Sequence, residues 1–328
     1  MPVQNALRYG TGGDLPDGSP SLSVVVPCFN EESSIKPLYG EVLRVLEGEA
    51  DVRDFELIFV DDGSKDATLA AVKKYAALDS RVHYISFSRN FGKEAALLAG
   101  LAGSAGGYVV TLDADLQDPP ALIPEMLAAV RGGGFDCAAA RRVTRKGEPP
   151  VRSLFARCFY WMMAKFADID VVDGARDFRL MSRVYVDVIL SLEERNRFSK
   201  GIFPWIGFRT KWFEYENIER GSGKTKWSFW RLVIYALDGI LAFSSKPLAI
   251  ASVLGILLFL ASLVLISWIV IEKLMGHTVN VYGWASTVCI ILFTSGIQLF
   301  SVGILGQYLA KTYTEVKRRP HYIVREAS

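Results

Sequence analysis

Charge is scarce in this chain. Asp, Glu, Lys and Arg make up 22% of its 328 residues, hydrophobic residues make up 51%, and the mean hydropathy is +0.23. So apolar a composition excludes a disordered chain and calls for buried or lipid-facing segments. An excess of either sign is also missing, since 37 basic residues face 35 acidic ones for a net charge of +2. This argues against a nucleic-acid binder working through bulk positive charge. The four cysteines (Cys28, Cys137, Cys158, Cys289) are scattered with no CxxC pair. A zinc ribbon or disulfide framework is therefore not expected, and free thiols fit a reducing cytosol. No GxGxxG follows the first apolar run and no GxxxxGK[ST] occurs anywhere, which argues against a dinucleotide-type Rossmann site and against a P-loop.

The apolar residues concentrate near the end of the chain. Pro247 to Ile271 contains no charged residue, and Tyr282 to Ala310 is a second run whose polar members include Gln298 and Gln307. Each is long enough to cross a bilayer as a helix. Buried helices of a soluble core are the alternative, and two such runs in close succession argue against it. Lys246 precedes the first run, and Lys311, Lys317, Arg318, Arg319 and Arg325 follow the second. The positive-inside rule then predicts a multi-pass protein of the plasma (inner) membrane, with both ends and the first two-thirds of the chain in the cytosol. Residues 1–20 are Gly- and Pro-rich and lack an apolar h-region, so they are expected to be a flexible segment and not a secretory signal.

The part before the spans alternates strand and helix patterns. Strands are expected at Leu22–Val26, Phe55–Val60, Val82–Phe87 and Tyr108–Leu112, and helices at Glu32–Glu47, Asp66–Leu78 and Lys93–Ala105. This order predicts an α/β domain with a mostly parallel sheet and helices on both faces, whose ligands bind at the carboxyl ends of the strands. Polar clusters stand at those ends: Asn30-Glu31, Asp61-Asp62, Ser88-Arg89-Asn90, and Asp113 with Asp115. If the chain continues extended after the fourth strand, Asp113, Asp115 and Gln117 point the same way. Two carboxylates and an amide oxygen are hard ligands suited to Mg²⁺ or Mn²⁺. Turn chemistry alone is the competing explanation for Asp62-Gly63.

Further on, Glu219-Arg220-Gly221-Ser222-Gly223-Lys224-Thr225-Lys226 sets three cations in a Gly-rich loop, a pattern suited to clamping phosphate. A solvated basic loop near anionic lipid is the alternative. Segments 151–166 and 227–243 read as aromatic-rich helices for the lipid interface, or else as core helices.

Three motifs in order, Val25-Val26-Pro27-Cys28-Phe29-Asn30-Glu31-Glu32, Val60-Asp61-Asp62-Gly63-Ser64-Lys65-Asp66 and Asp113-Ala114-Asp115-Leu116-Gln117-Asp118-Pro119-Pro120, resemble the inverting family 2 glycosyltransferases of GT-A fold. Nearly the whole chain, with its two apolar runs, is similar to the polyprenyl-phosphate group of that family, the dolichol-phosphate mannosyltransferases and bactoprenol glucosyltransferases. The resemblance implies a GT-A domain over residues 21–226, a second juxtamembrane helix over 227–245, two transmembrane helices within 246–310 and a basic cytosolic tail over 311–328.

It also implies roles. Pro27, Phe29 and Glu31 would line the base and ribose pocket, with Phe29 standing where the family often has Tyr. Val60 would contact the base through its backbone and Asp62 through its carboxylate. Asp113, Ala114, Asp115 and Gln117 would meet the nucleotide-sugar, with Asp113, Asp115 and Gln117 holding the metal. Arg220 and Lys226 would close over the diphosphate, and Arg141 and Arg152 would bind the acceptor phosphate. In Asp173-Gly174-Ala175-Arg176-Asp177-Phe178-Arg179-Leu180, Asp177 matches the carboxylate proposed as a base, or it orients the acceptor, or it pairs with Arg176 or Arg179. The expected reaction moves a hexose, glucose from UDP-glucose first, to polyprenyl (undecaprenyl) phosphate. GDP-mannose or an amino-sugar donor is the alternative. A non-catalytic lipid-binding scaffold and a processive polysaccharide synthase are the other readings, and the latter lacks its Gln-x-x-Arg-Trp motif here. One small-xxx-small pair, Ala251 and Gly255, leaves a homo-oligomer open.

Overall fold

The computed structural model describes residues 21–49, 52, 54–142, 172, 174–215, 244, 246–275 and 283–328. Strand β1 (Leu22–Cys28) is apolar almost throughout because it is covered on both faces. It pairs in parallel with β2 (Phe55–Asp61) on one side and β4 (Tyr108–Thr111) on the other, and β2 pairs in parallel with β3 (Val82–Phe87). Helices α1 (Glu32–Glu47), α2 (Thr68–Leu78) and α3 (Lys93–Gly103) make the crossovers. The pleat of β1 divides the core. Leu22, Val24, Val26 and Cys28 pack with Ile35, Leu38, Val42 and Leu46 of α1, while Val25 packs on the other face with Leu101 of α3.

The chain continues through α4 (Ile123–Arg131), β5 (Cys137–Arg142), β6 (Ala175–Ser182), α5 (Arg183–Ser191), α6 (Ser199–Trp205) and β7 (Thr210–Tyr215). Two long helices follow, α7 (Lys246–Leu274) and α8 (Trp284–Lys317), and then β8 (Val324–Ala327). The eight strands lie in the order β7-β5-β6-β4-β1-β2-β3-β8. This is a GT-A-like α/β fold with a mixed sheet.

The expected mostly parallel sheet is mixed: β4, β1, β2 and β3 run parallel and β5 pairs in parallel with β7, but β6 runs antiparallel to both β4 and β5, and β8 antiparallel to β3. The strict strand–helix alternation that forces parallel crossovers ends after α4. The segment expected as a basic tail carries regular elements that its sequence does not announce. Helix α8 carries on to Lys317, and residues 324–327 close the sheet edge, with Ser86 opposite Glu326 and Lys73 Nζ 2.6 Å from Glu326 Oε2. A four-residue strand with charged side chains is a common guard for an edge, and its charge hides its strand character.

Helices α7 and α8 contain stretches of 26 and 31 residues (Lys246–Ile271 and Thr287–Lys317) long and apolar enough to cross a membrane, with none of the most apolar window buried in protein. A core helix would be covered. The segments read as interfacial helices, 151–166 and 227–243, lie outside the described residues.

Candidate active site

The carboxyl ends of β1, β2, β3 and β4 lie together at one end of the sheet, and the polar clusters predicted there do gather. The β1 and β2 loops are stitched together by backbone contacts. Asn30, at φ 54°, accepts from Lys65 N through Oδ1 at 2.9 Å and donates its own N–H to Ser64 Oγ at 3.0 Å. Glu31 donates its N–H to Thr68 Oγ1 at 2.9 Å, and its carboxylate accepts from Ser34 at 2.9 Å. Phe29 is 38% exposed beside them and Pro27 is half-buried, so both present surface to a ligand. Val60 lies opposite Pro27 in the ladder with its side chain in the core, leaving only its backbone to the site.

Asp61 and Asp62 build loops. Asp61 accepts from Ser64 N at 3.0 Å and Ser86 Oγ at 2.9 Å. Asp62 accepts from the backbone N–H of Phe91 at 2.6 Å through Oδ1 and from that of Gly92 at 2.9 Å through Oδ2. A base meeting Asp62 therefore meets a carboxylate already holding the 91–92 turn. Burial raises its pKa despite those two bonds. Gly63 makes the turn fit: at φ +67° a Cβ would stand 2.5 Å from the Arg89 carbonyl carbon.

That turn delivers Lys93, which sequence reasoning missed. Its ammonium lies 2.6 Å from Asp113 Oδ1 and 2.6 Å from Asp177 Oδ2. Partial desolvation opposes the charge on Lys93, but Asp113 and Asp177 outweigh it and hold the ammonium well above its usual range. Burial likewise opposes the Asp177 carboxylate, and Lys93, with Lys200 and Arg176 behind it, holds that carboxyl far below its usual range. An anion so stabilised is a poor proton acceptor. The expected partner is also corrected, because Asp177 pairs with Lys93. Arg176 instead meets Asp118 at 3.0 Å and Asp113 at 3.6 Å, and Arg179 is buried against the rings of Phe203 and Trp212. A cation at the N-terminus of α3 runs against the helix dipole, a local inconsistency that could have flagged Lys93.

The segment after β4 does not stay extended. Leu116 takes φ 55°, and Gln117 N donates to Asp115 Oδ1 at 3.2 Å, so the chain turns at 114–116 with Ala114 buried within it. The alternation expected to align Asp113, Asp115 and Gln117 is thereby broken. The Gln117 Oε1 accepts from Arg142 Nη2 at 2.7 Å and is already engaged. Asp118 is fully buried, accepting from Arg176 and from the Tyr215 hydroxyl. Burial beside Asp118 pushes the Tyr215 hydroxyl up to about 12.

Among the described residues, no three His, Cys, Asp or Glu side chains form a metal cage. The donor set still fits a hard divalent ion held by Asp113 and Asp115, because such ions commonly take one or two carboxylates and complete their shell with substrate phosphate and water. An ion on Asp113 would compete there with Lys93. Arg141 is directed away from this cluster, its Nε donating to Glu214 Oε1 at 3.0 Å. Arg152, Arg220 and Lys226 lie outside the described residues.

The strand ends thus gather carboxylates beside Lys93, Arg142 and Arg176, where open parallel sheets commonly bind ligands. Residues 23–190 match the family described as Glycosyl transferase family 2, and the chain belongs to that family, making it a glycosyltransferase. It is 42% identical to the "Putative glycosyltransferase CsbB" of Bacillus subtilis over 94% of this chain and 92% of that protein. It is 39% identical to the "Bactoprenol glucosyl transferase" of Shigella phage SfII over 93% of this chain and 98% of that one. A solved structure of Mycobacterium tuberculosis glucosyl-3-phosphoglycerate synthase with Mn²⁺, uridine-diphosphate and glucosyl-3-phosphoglycerate has 20% identity and a TM-score of 0.42, covering 68% of this chain and 78% of that one.

Proposed function

We propose that this glycosyltransferase moves glucose from UDP-glucose to a polyprenyl phosphate, undecaprenyl phosphate in a bacterial membrane, with inversion at the anomeric carbon. The observation that carries this reading is the match to proteins named bactoprenol glucosyl transferase, at 39% identity over nearly the full length of both chains. That match spans the strand-end site and the two apolar helices together. The helices would anchor the chain in the plasma membrane with the sheet on the cytosolic side, where positive-inside flanks put it.

Within this reading, Pro27, Phe29, Glu31, Val60 and Asp62 frame the base and ribose. Asp113 and Asp115 would hold a Mg²⁺ or Mn²⁺ ion, which supplies charge neutralisation at the leaving diphosphate. Lys93 and Arg176 fix the orientation of Asp113, and Arg220 and Lys226 close over the donor and shield it from water. Arg141 and Arg152 hold the acceptor phosphate, which requires Arg141 to exchange Glu214 for the lipid. That phosphate has a second pKa of about 6 and is already largely dianionic at neutral pH. It needs little help from a base, and Asp177, held ionised by Lys93, acts as an orienting anion.

The test is a donor panel. Purified protein in detergent is given undecaprenyl phosphate with UDP-glucose, UDP-N-acetylglucosamine or GDP-mannose, and the lipid product is weighed by mass spectrometry. A hexose on the lipid phosphate from UDP-glucose alone is expected. Transfer only from GDP-mannose would overturn the donor, and no lipid product with any donor would overturn the acceptor.

A further inference from the structure

A separate cavity lies where the last turn of α8 meets the loop after β3. Side chains from the start of α3 and the turn before it, from residues 195–197 and from the end of α8 and the segment after it wall about 570 Å³. Five full cations line it, Arg89, Arg195, Arg197, Lys317 and Arg319, together with His321. Three carboxylates, Glu94, Glu194 and Glu315, stand close by and offset part of this charge. Glu94 accepts from Ser199 N at 3.2 Å, and Glu315 accepts from the backbone N–H groups of Arg195 and Asn196 at 2.8 and 3.0 Å. Arg197 is fixed in place by donating to Leu192 O at 2.7 Å. The Arg195 Nη1 is buried with no hydrogen-bond partner among the described residues. Burial, then Arg195 and Arg197, lower the His321 pKa, as expected where positive charge is already concentrated.

Five cations against three carboxylates leave an excess of positive charge around the hollow, and an unpaired buried guanidinium N–H is costly. We propose that this cavity binds a phosphate group, held by guanidinium forks from Arg195 and Arg319 with Lys317 as a point charge. The cavity is large enough for a phosphodiester with its substituents. It sits at the end of an apolar helix long enough to span a bilayer, which is the depth of lipid headgroups. A soluble phosphate offers the same chemistry. No residue of the sugar-transfer site is used.

The full-length protein in detergent micelles is titrated with phosphatidylglycerol or phosphatidylcholine and read by native mass spectrometry. In parallel, inorganic pyrophosphate is tested by thermal shift against sodium chloride at matched ionic strength. Selective binding of phosphatidylglycerol, of pyrophosphate or of both is expected. A Lys317→Gln/Arg319→Gln double variant should weaken it by roughly tenfold or more, from the contribution of each cation near a headgroup. A lipid response alone identifies the headgroup as the source, and a pyrophosphate response alone identifies a soluble phosphate. Pyrophosphate bound at the strand ends survives these substitutions and is thereby separated. If the double variant does not fold, Arg195→Gln, on another wall of the cavity, gives the same reading. Equal binding by native and substituted proteins, or no anion binding by the native one, overturns the proposal.

Discussion

Replacing Lys93 by methionine removes the cation shared by Asp113 and Asp177 while keeping an unbranched apolar stem of similar length. The ammonium lies 2.6 Å from each carboxylate, yet its side chain is 43% exposed, so solvent screens both pairs. Each pair then contributes no more than about 1 kcal/mol, and the loss of folding stability should stay near 1–2 kcal/mol. The effect on rate should be larger. Without Lys93, Asp177 loses its 2.6 Å partner and Asp113 keeps Arg176 only at 3.6 Å. Displacement of these carboxylates by about an ångström costs on the order of a hundredfold, or about 2.7 kcal/mol of transition-state stabilisation. Initial rates of sugar transfer over a range of donor concentrations, beside thermal unfolding of the same preparations, separate the two effects. Lys93→Arg restores charge but not geometry and should recover part of the rate. A Lys93→Met protein that keeps its native kcat/KM would refute the role assigned to this bridge. A loss of rate only in proportion to unfolded protein would refute it equally.

Other consequences can be checked with single changes. Gly63→Ala places a Cβ against the Arg89–Asn90 backbone and should displace the turn held by Asp62, weakening nucleotide binding in a calorimetric titration while the fold survives. Tyr215→Phe removes a hydroxyl donor from the fully buried Asp118 and should cost about 1–3 kcal/mol in denaturant unfolding. The Asp177 carboxyl is held below its usual range, so its stabilising contribution is complete above the unfolded value of about 3.9 and is lost as pH falls towards the folded one. Asp177→Asn should flatten that acid limb of stability, and an unchanged limb would contradict the pairing. Ending the chain after residue 323 removes β8, bares the β3 edge and should lower the Tm and promote aggregation.

The legible part of the fold is the part written in periodicity. The limits of α1 and β3 agree residue for residue, and α2, α3 and β4 differ by a few residues at one end, because apolar alternation and helical spacing are local signals. The β8 strand pairs with β3 across more than two hundred residues, and four residues rich in charge carry no such signal. The site divides in the same way. Motif order placed Asp62 and Asp113 at the strand ends and the family resemblance singled out Asp177, but their partners depend on loop geometry. The left-handed Leu116 turned Asp115 and Gln117 out of strand alternation, and the Asp62-bound turn brought Lys93 between two carboxylates. Neither device can be read from spacing, although a lysine opening a helix hints at a tertiary demand.

The central claim is that carboxylates at the end of β4 serve sugar transfer to a lipid phosphate. The most direct measurement is radiolabelled transfer from UDP-glucose to undecaprenyl phosphate with Mg²⁺ or Mn²⁺, comparing the native chain with Asp115→Ala. Labelled lipid from the native protein, falling by at least about a hundredfold in the variant at unchanged Tm, is the result predicted. Equal label in both, or no labelled lipid from the native protein, would contradict it.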